Sequence, residues 1–511
     1  MTLGRMLEET ARRMPQKCAI KFGKHTFLGW GKQKLTYREL NAMVNNAAAG
    51  LRALGVEKGD RIGLIGENCP EYIIGYFAIA KLGAISVPIN NFLTGSEIKY
   101  IVNDCKIKVL CTSKKFLKTI QPVLAQMASV KHIVVMDEAD EPEQMSFAKL
   151  LAAGAPDNLD AGVAPEDLAV FIYTSGTTGH PKGAMLTHRN LVSNAQDGAQ
   201  AFQIVAQDKF LLFLPLFHSF TFTVCVLIPI LLGSAIILIG SVKSLDEIKN
   251  AILFDRITIF VGVPAVYNVL ANKPIPKILK YISAIKFFIS GSAPLPAPVI
   301  GKIDEKFGSP LLEGYGLSEA SPVVSVNPRF GVRKVGSVGP AIPNVQVKVV
   351  DAKSNPVPVG EVGELAVKGA NVMQGYYNLP EATKETLVDG WLLTGDIARL
   401  DADGYIYIVD RKKEMLLVRG INVYPREIEE ALYTHPGIAE CAVIGVPDES
   451  KGEAPKAFIV AREGVTLTER EVREFCKQHL AAYKIPKYIE FRPSLPKNAT
   501  QKIMKRSLRG A

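Results

Sequence analysis

The sequence predicts an α/β protein with a smaller α+β part at its C-terminal end. Three observations carry that prediction. Over the first 320 residues, short apolar runs alternate with amphipathic stretches of helical period, the pattern of parallel sheets covered by helices. From about Gly336 to Asp410 the runs shorten and turn signals multiply, at Ser354-Asn355-Pro356 and Asp401-Ala402-Asp403-Gly404. That texture reads as a small, mainly antiparallel β unit. After Arg411 comes a compact piece with helix patterns at 425–432 and 468–480 and a strand pattern at 440–446. The charged run Asp410-Arg411-Lys412-Lys413 follows a completed strand and marks a domain boundary.

In chain order, 40–54 and 72–82 read as helices, and 61–65, 108–111 and 132–136 as strands. The stretch between Lys209 and Lys243 holds no charged residue and is long enough to span a bilayer. Pro215 and Pro229 interrupt it, and His218, Ser219, Thr221 and Thr223 stand near its start. It therefore reads as strand, turn, buried helix and strand (235–239) within an α/β core; membrane insertion is the weaker alternative.

At 511 residues, two or three domains are expected. The net charge is +10, and from Arg411 onward 19 Lys+Arg stand against 13 Asp+Glu. A basic C-terminal part suits polyanionic small molecules. No aromatic residues are interleaved with these cations in a base-stacking pattern, which argues against nucleic acid. The seven cysteines are scattered, odd in number and without a CxxC pair, as in a reduced cytoplasmic protein. Residues 1–15 have mixed charge and no apolar h-region, so no signal peptide is expected.

The richest chemistry lies in Tyr173-Thr174-Ser175-Gly176-Thr177-Thr178-Gly179-His180-Pro181-Lys182-Gly183, after the apolar strand 168–172. Glycines let the backbone turn with its N–H groups facing one point, an anion-binding nest. The hydroxyls add donors and Lys182 adds a point charge suited to phosphate. This is not the common P-loop, because Pro181 precedes Lys182 and disfavours a helix opening there. A polar turn between strands is the bland alternative; the lysine and the buried strand favour a phosphate cradle.

Further clusters join it. Ser290-Gly291-Ser292-Ala293-Pro294 follows the strand 285–289, and Glu313-Gly314-Tyr315-Gly316-Leu317-Ser318-Glu319 follows Pro310-Leu311-Leu312. Trp391-Leu392-Leu393-Thr394-Gly395-Asp396 places an acid after a turn, and Pro496-Lys497-Asn498-Ala499-Thr500-Gln501-Lys502 presents a lysine near the C-terminal end.

In these motifs, and in their order, the chain resembles the adenylate-forming enzymes, specifically AMP-forming fatty acyl-CoA synthetases, over nearly its whole length. The resemblance implies a large N-terminal domain, 1–410, of two parallel-type α/β subdomains plus a small β-barrel at about 325–410. A small mobile α+β domain, 411–511, would follow, hinged near Lys413. The implied reaction joins a carboxylic acid to ATP, giving acyl-AMP and pyrophosphate, and then moves the acyl group to coenzyme A. Thr174, Ser175, Gly176, Thr177, Thr178, Gly179 and Lys182 would hold the β- and γ-phosphates, and Thr174 with Glu319 a Mg²⁺ ion. Gly291, Ser292, Ala293 and Glu313, Gly314, Tyr315, Gly316 would flank the adenine, with Ser318 near the α-phosphate. Asp396 and Arg411 would bind the ribose. Lys502 would bridge the carboxylate and the α-phosphate, then withdraw as the hinge turns and the 417–424 loop, with Arg419 and Gly420, arrives for the thiol step. His218, Phe217 and Phe220 would line the acyl site.

The residue types suit that chemistry. Negative charge gathers on the oxygens of a five-coordinate phosphorus, and fixed cations and donors stabilise it. A carboxylate is already a nucleophile, and no Gly-x-Ser-x-Gly elbow is present. Two departures stand out. Gln501 occupies a position usually held by glycine, and Arg419 one usually held by Gly or Ser. Gln501 motivates an alternative reading, a nucleotide-binding module impaired in catalysis. A carrier protein in place of coenzyme A, and an aromatic in place of a medium- or long-chain fatty acid, are nearer alternatives. A monomer or homodimer is expected, in the cytoplasm, with peripheral membrane contact suited to a basic protein handling lipids.

Overall fold

A computed structural model describes residues 1–23, 25–26, 29–30, 33–137, 145–152, 157–174, 181–240, 245–274, 279–418, 421–448, 452–498 and 502–509. Two eight-stranded sheets form the large part. One runs in the order Val323–Val326, Leu311–Gly316, Phe287–Ser290, Ile259–Gly262, Lys209–Leu212, Ala235–Leu238, Cys18–Phe22, Gln33–Thr36. Its six inner strands are parallel and its two outer pairings antiparallel. Ala235–Leu238, Ile259–Gly262 and Phe287–Ser290 are buried along their whole length, as expected of strands covered on both faces.

The other sheet runs Gly375–Tyr376, Lys182–Thr187, Leu168–Thr174, Ile85–Pro88, Arg61–Ile65, Val109–Thr112, His132–Val135, Met145–Ser146. Its first two pairings are antiparallel and the rest parallel. The expected parallel sheets are thus mixed sheets. Strands such as Leu168–Thr174 and Lys182–Thr187 pair where the chain doubles back within a few residues, which only antiparallel pairing permits, while the edge strand Gly375–Tyr376 joins from far along the chain.

The chargeless segment folds as strand Lys209–Leu212, a continuous helical run from Ser219 to Leu232 that contains a π-turn at Thr223–Leu227, and strand Ala235–Leu238. It lies in the middle of the first sheet, and among the described residues no helix is long and apolar enough to cross a membrane. Tyr37 reaches this region from helix Tyr37–Ala53, its hydroxyl donating to the carbonyls of Pro229 (3.0 Å) and Ser234 (2.7 Å).

A five-stranded antiparallel sheet follows, built from Gln346–Val350, Gly363–Lys368, Trp391–Leu400, Leu387–Val388 and Ile406–Arg411. The last piece has a five-stranded sheet of its own. In it Ile438–Asp448 and Gly452–Ala461 pair at the centre, beside helices Pro425–Tyr433 and Glu469–His479. One hydrophobic core runs from Leu3 to Ile406. The C-terminal piece keeps two separate cores, one around Leu432, Val443 and Val472 and one around Phe458, Leu495 and Leu508.

Candidate active site

The phosphate-cradle sequence joins two antiparallel strands, with Thr174 directly opposite Lys182. Lys182 starts a strand, not a helix, so the described ends of this loop present no helix terminus. Ser175, Gly176, Thr177, Thr178 and Gly179 lie outside the described residues. The hairpin is pinned from below: the Tyr173 hydroxyl donates to Asp104 Oδ2 at 2.5 Å.

At the mouth of this hairpin, Thr174 Oγ1 donates to Glu319 Oε1 at 3.2 Å. The Tyr376 hydroxyl donates to the same oxygen at 3.0 Å, and the Lys182 ammonium sits 5.1 Å from the Tyr376 ring centre. Glu319 and Ser318 belong to a 3-10 turn just beyond strand Leu311–Gly316. Ser318 Oγ is 3.2 Å from Ser219 Oγ. One hydroxyl and one carboxylate offer hard oxygen donors, and among the described residues no cluster of three His, Cys, Asp or Glu exists. That set fits Mg²⁺, which keeps several waters and leans on substrate phosphates.

The opposite wall is a bulge in strand Trp391–Leu400, where Gly395 takes φ +70°. An extra residue in one strand re-aims its neighbours, and Asp396 points into the cleft with only 2% of its surface exposed. The sequence reading places this acid after a turn; it lies within a bulged strand instead. Its Oδ2 accepts the Tyr315 hydroxyl at 2.5 Å and its Oδ1 the Arg411 Nε at 2.9 Å. The Arg411 guanidinium remains 44% exposed, with donors to spare.

Between these ends lies a ledge. A Cβ on Gly291 would come within 3.0 Å of the Phe220 ring, so any larger residue would push that ring aside. Ser292 takes φ +70°, and the buried hydroxyls of Ser290 and Ser292 have no partner among the described residues. Glu313 is buried, accepts the Leu295 N–H at 3.1 Å, and is pushed by burial up to about 7. A cavity of about 260 Å³ runs along the ledge, lined by Ser292, Ala293, Glu313, Gly314, Tyr315, Gly316, Asp396 and Arg411. From the C-terminal piece, Arg426, Glu429 and Lys502 face it.

Phe217 and Phe220 are half-buried on either side of His218. His218 Nδ1 accepts the Phe220 N–H at 3.3 Å, and burial, then the Lys502 charge, holds its pKa down to about 4. The imidazole is neutral at physiological pH. Lys502 is itself held down to about 8, by burial first and Arg411 second, against the pull of Asp396 and Glu414. Lys413 lies on the 3-10 turn Lys412–Glu414, its pKa lowered by burial and by Arg411. Arg419, Gly420 and Gln501 lie outside the described residues.

Sequence reading did not single out Tyr376, Ser219, Arg426, Glu414 or Lys505. Tyr376 reaches the site only because the Gly375–Tyr376 strand pairs with Lys182–Thr187, a contact between segments nearly 200 residues apart that leaves no local signal.

A two-ended cleft of this kind, an acid clamp opposite a hydroxyl–carboxylate pair with a lysine delivered from a separate piece, defines the nucleotide-activating ligases. The AMP-binding enzyme family model matches residues 7–377, and the model of the AMP-binding enzyme C-terminal domain matches 427–502. The chain belongs to this family and is an adenylate-forming ligase that uses ATP and coenzyme A. It is similar to a long-chain-fatty-acid–CoA ligase of Bacillus subtilis, 37% identical over 99% of this chain and 94% of the relative. A feruloyl-CoA synthase of an Amycolatopsis species is 35% identical, over 99% of this chain and 98% of the relative. Among solved structures, ATP-bound MatB from Rhodopseudomonas palustris superposes with a TM-score of 0.90 at 32% identity, covering 100% of this chain and 99% of that one. The apo form of the same protein gives 0.80.

Proposed function

We propose that this ligase activates a medium- or long-chain fatty acid. A carboxylate oxygen attacks the α-phosphorus of ATP, the bond to pyrophosphate breaks, and acyl-AMP forms. The thiolate of coenzyme A then attacks the acyl carbon and AMP leaves. The observation that carries this reading is the reach of Lys502. It lines one cavity with Asp396 and Arg411 on the nucleotide side, and its charge helps hold the His218 pKa down on the acyl side. An ammonium so placed brings two anions together, which is the main difficulty of the first step.

The other roles follow from position. Asp396, oriented by Tyr315 and Arg411, accepts the ribose hydroxyls. The ledge of Gly291, Ser292, Ala293 and Glu313 to Gly316 takes the adenine. Lys182, Thr174 and the 175–179 loop take the terminal phosphates, with Ser318 near the α-phosphate. Thr174 and Glu319 hold Mg²⁺, which neutralises charge on the leaving pyrophosphate when bound. Neutral His218, with Phe217 and Phe220, lets an uncharged acyl chain pass without burying a cation. Residues 1–410 and 411–511 act as two domains. Rotation about Lys413 withdraws Lys502 and brings in the 417–424 loop with Arg419 and Gly420. The higher similarity to the ATP-bound than to the apo form of MatB supports an orientation set for the first step.

The B. subtilis relative supports the fatty acid as substrate; the feruloyl-CoA synthase favours an aromatic acid as the second reading. Seven free cysteines suit the cytoplasm, and the net charge of +10 suits peripheral contact with an anionic membrane. AMP release is measured with octanoate, palmitate, ferulate and benzoate, each with coenzyme A or a carrier protein as acceptor. Fastest turnover is expected with a fatty acid and coenzyme A. Preference for ferulate or benzoate overturns the substrate assignment, and release only with a carrier protein overturns the acceptor.

A further inference from the structure

The C-terminal tail carries a second buried cation that the proposed chemistry leaves without a task. Lys505 lies three residues beyond Lys502, on the 3-10 turn Lys505–Leu508. Its ammonium meets Glu429 of helix Pro425–Tyr433 at 2.7 Å and Glu414 of the hinge turn at 3.2 Å. The three side chains are only 14–23% exposed. Burial pulls the Lys505 pKa down, but Glu429, Glu414 and Asp410 outweigh it and hold the group firmly charged.

Lys502 is fixed mainly through its backbone. Its N–H donates to Asn498 Oδ1 at 2.9 Å, the Asn498 N–H donates to the Lys502 carbonyl, and Lys497 bridges to Ile503. Among the described residues its ammonium has no ion pair of its own, so it can turn toward nearby anions. Glu414 is one of them, since its charge acts on Lys502 as well as on Lys505. A partly buried carboxylate stripped of its cation takes the nearest replacement, because an unpaired buried charge is strongly unfavourable. Here Lys502 lines the same cavity as Glu414 and acts on it more strongly than Arg411 does, so it is the replacement at hand.

We propose that Lys505 is a positioning residue for adenylation: by occupying Glu414 and Glu429 it keeps Glu414 from capturing Lys502 and leaves that ammonium directed into the cleft. The proposal rests on the role given to Lys502 above. The same pair fastens the hinge turn to the C-terminal piece. At the other end of the turn, Lys412 Nζ binds Glu364 Oε2 of the large part at 2.8 Å.

The test uses full-length Lys505→Met, Lys505→Arg and the double variant Lys505→Met/Glu414→Gln. Two half-reactions are read: palmitate-dependent pyrophosphate exchange, and palmitoyl-CoA formation from supplied palmitoyl-AMP. Lys505→Met is expected to slow exchange at least about tenfold, the scale of a lost charged hydrogen bond. Thioester formation should stay within about threefold of the parent. The upper pH limb of kcat/KM for exchange should move to higher pH, since Lys502 loses a like charge and gains Glu414; Arg411, Asp396, Glu414 and Lys505 are the charged groups that act on it. Lys505→Arg should restore the parent rate, and removing Glu414 in the double variant should recover most of it. Equal loss in both half-reactions, an unmoved pH limb, or no recovery in the double variant overturns the proposal. Should Lys505→Met not fold, Lys505→Gln, which keeps a donor to Glu429, is read by the same criteria. Lys502→Ala run alongside separates the two ideas. If it is inactive in exchange while Lys505 variants exchange normally, only the Lys505 role is lost. If it exchanges normally, the reading of Lys502 is lost and this proposal with it.

Discussion

The large part of the molecule brings Asp396, Glu319 and Glu313 to the cleft, with Lys182 at its phosphate end, whereas the C-terminal piece brings Lys502 and Arg426 beside the acid Glu429. Asp396, Glu319 and Glu313 stand in or just beyond strands that share one large core drawn from residues between Leu3 and Ile406, beside a second around Ile65, Val102 and Phe116. Lys502, Lys505 and Arg426 stand on a piece with cores of its own. The difference teaches a division of labour. Groups that hold what stays bound through both steps are built into continuous packing, where small displacements are resisted. In the proposed mechanism the group needed in one step only, Lys502, is carried by a unit whose cores are separate, so it can leave without breaking one.

That comparison can be broken at several points. Lys502→Ala is expected to slow acid-dependent pyrophosphate exchange by about 10²–10³, the usual cost of one lost transition-state donor. Thioester formation from supplied acyl-AMP should survive, and equal loss of both would erase the contrast. Leu432→Ala empties a fully buried site in the C-terminal core and should cost about 2–5 kcal/mol. If the two parts are independently stable, calorimetry will show one transition moving while ATP still binds; a single transition shifting as a whole denies it. Asp396→Ala removes the shared partner of Tyr315 and Arg411, and should raise KM for ATP by roughly 10–100-fold, the scale of hydrogen bonds to a charged group. Because this acid belongs to the fixed part, the thiol step should also weaken, read as looser binding of supplied acyl-AMP.

The pH dependence sharpens the same contrast. The Lys502 pKa is lowered to about 8, and in the proposed mechanism its protonated form is the active one. Exchange kcat/KM should therefore be level below that value and fall as pH rises through it, by about tenfold near pH 9. In Lys502→Arg the fall should vanish; a fall that persists assigns it to another group. The smallest effect is expected from Tyr376→Phe. Losing one hydroxyl donor to Glu319 is worth about 0.5–1.5 kcal/mol, seen as a several-fold higher Mg²⁺ requirement. No change would separate Tyr376 from the phosphate end of the cleft.

Local patterns made most elements legible. The strand expected at 61–65 is Arg61–Ile65, and the helix expected at 72–82 is Pro70–Lys81. Start signals account for the offsets. Pro70 opens its helix, and Thr36 caps the preceding one with Glu39 in a reciprocal box, so Tyr37–Ala53 begins three residues before the expected 40. Order across the sheets was not legible, because paired strands such as Cys18–Phe22 and Ala235–Leu238 lie far apart along the chain. The same distance hid Tyr376. Lys505 was hidden otherwise: in a lysine-rich tail nothing local separates a buried cation from solvated ones, and only Glu414 and Glu429 single it out.

The pairing of Cys18–Phe22 with Ala235–Leu238 bears on how the protein is made. Ribosomes add about 5–20 residues per second, so the early strand waits for tens of seconds before its neighbour emerges. Through that interval the nascent chain shows an unfilled sheet edge, followed by more than thirty residues without a charge. Production in cells should therefore lean on holdase chaperones and improve when translation slows after the segment, although the finished enzyme shows no trace of that dependence.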